Sequence, residues 1–168
     1  FYSPEERYYA SGLKSDWGLT LRNKNNKINK ASGKETNDIK GELNYDIGLP
    51  LISRGEIFNS IIDPKILFRY SPNKNENSSN DEKRLDYNSI FGLDRIATIE
   101  GGGSATIGLD YKLINKETDS EFLKVGLAQV FRNEENKDLP ETSSLGHKSS
   151  DIFGNITLLN KDIINLDY

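Results

Sequence analysis

His147 is the only histidine of the chain, and it stands in a polar stretch with no cysteine and no convincing carboxylate cluster beside it. A metal ligand set or a general base needs such company, so His147 reads as a solvated loop residue. Gly101-Gly102-Gly103 has the glycine density of a phosphate cradle, but no Lys-Ser/Thr follows and no helix begins there. A turn or strand entry fits it better, since glycine permits positive φ and close backbone approach. The carboxylates Asp81, Glu82 and Asp86 offer oxygen ligands for a divalent ion, yet their spacing is not that of an EF-hand loop. Asp94 and Arg95 read in two ways: as a salt bridge anchoring an inward-folded loop, or as a solvated pair worth at most ~1 kcal/mol. Asn77-Ser78-Ser79 and Asn155-Ile156-Thr157 fit a glycosylation pattern frequent by chance and carry no assignment. No nucleophile, base and orienting group can be put together. The expectation is therefore a protein that is not an enzyme, with no catalytic, cofactor or metal site.

The elements that must position these residues follow from composition and periodicity. The net charge is −4, without a basic run able to follow a phosphate backbone, so nucleic acid is excluded as a partner. Absent cysteine rules out disulfides and thiolate metal sites within the segment. No apolar run approaches the ~20 residues of a membrane helix. The low mean hydropathy of −0.66 still permits a membrane β-barrel, whose wall is apolar on its outer face only. The lack of any methionine, the opening Phe1-Tyr2-Ser3-Pro4 and the closing Ile163 to Tyr168, which reads as an interrupted strand, give the expectation of truncation at both ends.

Apolar residues recur at every second position, the strand period. Leu13, Trp17, Leu19 and Leu21 oppose Gly12, Lys14, Asp16, Gly18, Thr20 and Arg22. The design returns in Leu43, Tyr45, Ile47 and Leu49, in Ile66, Phe68 and Tyr70, in Ala105 to Leu113, and in Leu123, Val125, Leu127 and Phe131. A last strand over 152–159 is apolar on both parities. Alternation over about ten residues matches the ~9–11 that cross a bilayer core. Segments 23–38, 73–84 and 133–148 read as long polar loops, and 50–55 and 114–120 as short turns, the asymmetry of outer-membrane barrels. Pro64 and Pro72 are expected at strand ends or bulges. Tyr8, Tyr9 and Trp17 suit an interfacial girdle or ordinary packing equally. A soluble β-sandwich would alternate as well, so the periodicity leaves both architectures open.

Five blocks in order carry a family resemblance. Asp63-Pro64 opens a strand that closes on Ser71-Pro72, and Asp86 to Arg95 contains Asn88, Phe91 and the Asp94-Arg95 pair. The strand entry at Glu100 then holds Gly102 and Gly108. Leu127 to Arg132 contains Gln129 and Arg132, and Ser149 to Gly154 contains Ser150, Asp151 and Gly154. This order resembles the LPS-assembly (LptD) family over about 39–160, in a style similar to alphaproteobacterial members; the first hairpin is compatible but carries no block. Ala128 stands where many relatives have Gly, and the stretch between Arg95 and Glu100 is shorter than in most.

The resemblance implies an all-β fold: an antiparallel meander of about six to eight long strands over 1–168, forming part of the wall of a large transmembrane β-barrel. It also implies transport of lipopolysaccharide to the outer leaflet of the outer membrane without bond breakage. The partners implied are lipopolysaccharide, an LptE-like plug lipoprotein, an LptA-like periplasmic bridge reached through a jellyroll outside this segment, and outer-membrane lipids. In such a wall Asp110, Lys112, Lys124 and Arg132 would face the lumen, and Leu109, Leu123, Val125 and Leu127 the lipid. Small Gly108, Gly126 and Ala128 would leave room beside the charges for a hydrated saccharide. A self-contained porin- or adhesin-like barrel and a soluble carbohydrate-binding β-sandwich are the rival architectures. An isolated open sheet of this kind is expected to aggregate, because its edges and apolar face are uncovered.

Overall fold

A computed structural model describes residues 7–26, 36–73, 85–92, 95, 100–136, 144–158 and 166–167. Nine strands form one antiparallel sheet: β1 (Arg7–Tyr8), β2 (Lys14–Asn26), β3 (Thr36–Gly48), β4 (Leu51–Arg54), β5 (Phe58–Ser71), β6 (Gly102–Asn115), β7 (Ser120–Arg132), β8 (Phe153–Leu158) and β9 (Leu166–Asp167). Their spatial order is β1-β2-β3-β5-β6-β7-β8-β9, with β4 also paired to β5. The chain is thus an all-β meander whose outermost strands do not pair with each other, as an arc of a barrel wall would be. Among the described residues no helix is long and apolar enough to cross a membrane, which says nothing about crossing by strands.

Five strands run for 13 or 14 residues, well beyond the ~5–6 of soluble sheets. The alternation dictates this length, since a register slip anywhere along such a strand would move its whole apolar set to the other face. Strands reaching Asn26 and starting at Thr36 shorten the expected 23–38 loop; the loop over 74–84 lies outside the described residues.

Two expectations about proline and turns are corrected. Residues 50–55 are not a turn: β4 continues the line of β3, because Gly48↔Lys65 and Leu51↔Ile62 belong to one register along β5. The reversal comes later, where the Gly55 N–H bonds the Phe58 carbonyl at 3.0 Å. Pro64 accordingly sits inside β5 rather than at its end. Its carbonyl accepts from the Leu49 N–H at 3.0 Å, and in an antiparallel ladder a residue's N–H and C=O point to the same neighbour. The missing donor therefore falls on the β3/β4 seam and the β6 ladder loses nothing. Pro72 does follow the last residue of β5.

Strands alternate between two environments. On one face Leu19, Leu21, Leu43, Tyr45, Phe68, Tyr70, Ile107, Leu109, Leu127 and Phe131 are exposed, and no second layer covers them among the described residues. Trp17, Tyr45, Phe68, Ala105 and Phe131 share one cross-strand row of that face. The other face carries the buried cluster of Leu85, Tyr87, Ile90, Ala128 and Val130, with Phe91 and Phe153 against it. Two architectures were open to the alternation, and the uncovered apolar face is what a sandwich would not leave.

Candidate functional site

The site is the polar face of β5, β6 and β7 together with residues 85–92, 95 and 100, which fold onto it; this face is called inner below. Its platform is set by register. Across the sheet the inner rows are Arg69/Ser104/Arg132, Leu67/Thr106/Val130, Lys65/Gly108/Ala128, Asp63/Asp110/Gly126 and Ile61/Lys112/Lys124.

Residues 86–92 make one helical turn. The Asp86 carboxylate accepts the Ser89 N–H at 2.7 Å, and the Ile90 N–H returns to the Asp86 carbonyl at 3.0 Å. Asp is an effective cap because its oxygen satisfies an orphan donor of the first turn. At the other end the Arg69 guanidinium donates to the carbonyls of Phe91, at 3.1 Å, and Gly92. This is cationic capping of the turn's C-terminus, delivered from β5.

The turn presses two rings onto two glycines. A Cβ on Gly108 would lie 2.5 Å from the Phe91 ring, and one on Gly126 would lie 2.2 Å from the Tyr87 ring. Real side chains do not approach so closely, so only glycine admits the rings. The expectation that Gly108, Gly126 and Ala128 leave open room is therefore corrected: aromatic side chains of the chain itself fill it, and Ala128 is 3% exposed. Between the rings, the Lys65 ammonium lies 4.1 Å from the Phe91 ring centre and 5.6 Å from that of Tyr87, while bonding Asp110 at 2.8 Å. The Tyr87 hydroxyl donates to the same carboxylate. Burial, and then the Asp110 hydrogen bond, push the Tyr87 phenol above its usual value, so it stays a donor at any physiological pH.

Nearer the long-loop end an ionic knot fixes the segment. Arg95, fully buried, meets Glu100 at 2.7 Å and also donates to Thr106 at 2.9 Å and Ser104 at 2.7 Å. Glu100 takes a second guanidinium, Arg132, whose side chain is 3% exposed and whose Nη1 reaches the His147 carbonyl at 3.1 Å. Burial would raise the Glu100 pKa, but Arg95 and Arg132 outweigh it and hold the carboxyl below the usual range. Burial likewise lowers Arg95 to about 10, with Glu100 opposing, and the group remains charged at neutral pH.

Of the residues expected to matter, Phe91, Arg95, Glu100, Gly108 and Arg132 converge here. The partner of Arg95 is Glu100; Asp94 lies outside the described residues, as do Asp81 and Glu82. Gln129, Ser150, Asp151 and Gly154 form a second contact zone. There Gln129 donates to the Ser150 carbonyl at 2.8 Å, the Val130 N–H to the Ser150 hydroxyl at 2.9 Å, and the Asp151 N–H to the Ser144 hydroxyl at 2.9 Å. Gly154 pairs with Leu127 in the ladder. Asp63 and Pro64 stand apart at the seam, where Asp63 holds Lys14 at 3.1 Å, and the Ser71 hydroxyl ties β5 to the Gly41 carbonyl at 2.7 Å. Asn88 is exposed on the turn, and Pro72 only ends β5. His147 is exposed and contributes its backbone alone, and Gly102 opens β6 with φ of +83°. Asp110, Lys112, Lys124 and Arg132 lie on the inner face, and Leu109, Leu123, Val125 and Leu127 on the opposite one. Arg132 differs from the picture of an open lining, since the folded-in segment covers it. Lys65, Arg69 and Tyr87 carry no sequence signal that singles them out, apart from the glycines opposite Tyr87 and Phe91.

Among the described residues no group of three or more His, Cys, Asp or Glu is placed to hold a metal. The arrangement has the chemistry of a polar wall closed by its own loop. Comparison with curated proteins gives no match. The family model for LptD, described as LPS transport system D, matches residues 7–168. With nearly the whole length matched and an open antiparallel wall beneath it, the chain belongs to the LptD family and has its role in lipopolysaccharide transport and outer-membrane assembly.

Proposed function

We propose that residues 1–168 form an arc of a large barrel integral to the outer membrane, whose apolar face meets lipid and whose inner face meets the water-filled route of the lipopolysaccharide saccharide. The observation that carries this reading is the inverted amphipathicity of β5 to β7: Leu109 is 42% and Leu127 47% exposed, while the polar-parity neighbours Thr106 and Arg132 are buried beneath the chain's own loop. In water this distribution is unfavourable, because apolar area costs ~25 cal/mol per Å² left exposed. In hydrocarbon the same face is satisfied, and closure by further strands pairs every backbone group. The aromatic row of Trp17, Tyr45, Phe68 and Phe131 is the composition of an interfacial girdle.

Connection lengths supply the orientation. The connections over 27–35, 72–101 and 133–152 leave one end of the sheet, and the short turns over 9–13, 55–57 and 116–119 leave the other. Barrels of this kind place short turns in the periplasm and long loops outside. Lipopolysaccharide then enters at the short-turn end, and the turn over 86–92 with Arg95 and Glu100 closes the outer half of the lumen. Family membership supports an LptE-like plug lipoprotein within the lumen and an LptA-like bridge on the periplasmic side as partners. The inner surface assists passage without breaking a bond, so the protein acts as a conduit rather than an enzyme.

Depletion of the full-length protein tests this. Lipopolysaccharide at the cell surface should fall, and newly made molecules should accumulate inside the cell. Unchanged surface lipopolysaccharide after depletion would remove the transport reading.

A further inference from the structure

The folded-in segment covers the inner face only in part. Tyr87 sits on Gly126, and the next row towards the short turns is Lys112 opposite Lys124. Like charges directly opposite across an antiparallel pair destabilise the sheet, so the juxtaposition has a cost that the local structure only half offsets. Lys112 reaches Glu121 at 3.1 Å, a half-exposed pair of modest strength. Among Lys14, Lys65, Lys112 and Lys124, Lys124 alone is without a carboxylate hydrogen bond among the described residues.

That row is reachable as well. Lys112 is 35% exposed on its side chain, and Ile61 and Thr157 flank the two lysines in register without covering them. Two ammonium groups from facing positions, one of them bonded to the Glu121 carboxylate, form a ledge of net positive charge with six N–H donors, of which one is given to Glu121. The chemistry that suits it is a dianionic, many-acceptor group, which a phosphate monoester supplies and a neutral sugar does not.

We infer that Lys112 and Lys124 form a contact point for a phosphate on the saccharide headgroup of the transported glycolipid, at the periplasmic edge of the loop seal. This rests on the conduit reading above. The two ammonium groups hold the phosphate where the open inner face gives way to the part closed by Tyr87 and Phe91.

A photocrosslinking residue placed at Thr157, beside Lys124 on the inner face, tests this in the full-length protein in cells. Crosslinks to lipopolysaccharide are expected, with yield falling about tenfold in K112Q/K124Q, a ratio equal to ~1.4 kcal/mol. The same loss is expected with wild-type protein when the headgroup phosphates are removed, whereas K116Q, in the β6–β7 turn, should leave the yield unchanged. Added inorganic phosphate that abolishes the crosslink at millimolar concentration would assign the ledge to free phosphate and overturn the inference. Undiminished crosslinking in K112Q/K124Q, or with dephosphorylated lipopolysaccharide, would overturn it too while leaving the conduit intact. Absence of crosslinks from Thr157 and from other inner-face positions alike would overturn the conduit reading itself.

Discussion

Leu127 and Ala128 are adjacent in sequence and have opposite fates: one is 47% exposed and the other 3%. The same contrast runs along β6 and β7, where the outward Ile107, Leu109, Leu127 and Phe131 are exposed among the described residues and the inward Thr106, Gly108, Gly126 and Ala128 meet Arg95, Phe91, Tyr87 and the cluster around Ile90. In a soluble protein the apolar parity would be the covered one. Here the chain's own loop covers the polar parity, and among the described residues the apolar parity is left bare, as the proposed contact with lipid requires. The polar side needs its covering because it concentrates ionic groups, and these are tolerable in a low-dielectric wall only when paired.

Changes that attack each side separately should break the comparison by different amounts. Removing the shared carboxylate has the largest expected effect: Glu100→Gln leaves the Arg95 and Arg132 guanidiniums without their anion, and losing one partner of a buried pair costs about 3–5 kcal/mol. The loop should lift, read as rapid labelling of a cysteine at Ile90, which is fully buried in the folded protein. A charge on the other face comes next. Leu127→Arg should cost about 2–4 kcal/mol if it lies near the bilayer midplane, read as a lowered urea midpoint in liposomes, with Ile90 still protected. Gly126→Ala introduces a methyl group where the Tyr87 ring lies and should destabilise the seal by about 1–3 kcal/mol through overpacking. Gly126→Ala paired with Tyr87→Ala should recover part of that loss.

The smallest change is in pH. The Glu100 carboxyl is depressed in the folded state, so its stabilising contribution is complete above the ordinary carboxylate value of 4.5 and disappears as pH falls through the lowered folded value. Labelling at Ile90 should therefore stay flat from neutral pH down to about 5 and rise only in stronger acid. A rise between pH 6 and 7 would implicate a different group.

The long strands and both faces were legible because a period of two is imposed by the backbone itself and survives every local exception. The seam at Pro64 was not legible: proline signals a strand end unless the neighbouring strand happens to break opposite it, and that is a fact of register. Parity puts Asp110, Lys112, Lys124 and Arg132 on one face, yet it suggests space at Gly108 and Gly126, where the structure has seats for two rings. Absence of a side chain is the same signal in both cases, and only the position of Phe91 and Tyr87 decides between them. For Arg95 the sequence leaves an anchoring salt bridge and a solvated pair equally open, and its partner Glu100, five residues on, follows from no spacing rule.

The most direct measurement is labelling of single cysteines at Leu109, Lys112, Lys124 and Leu127 in the full-length protein in native membranes, with a water-soluble and a bilayer-soluble reagent in parallel. The wall predicts water-soluble reaction at Lys112 and Lys124 and bilayer-soluble reaction at Leu109 and Leu127. Water-soluble reaction at the leucines together with protection of the lysines would contradict it.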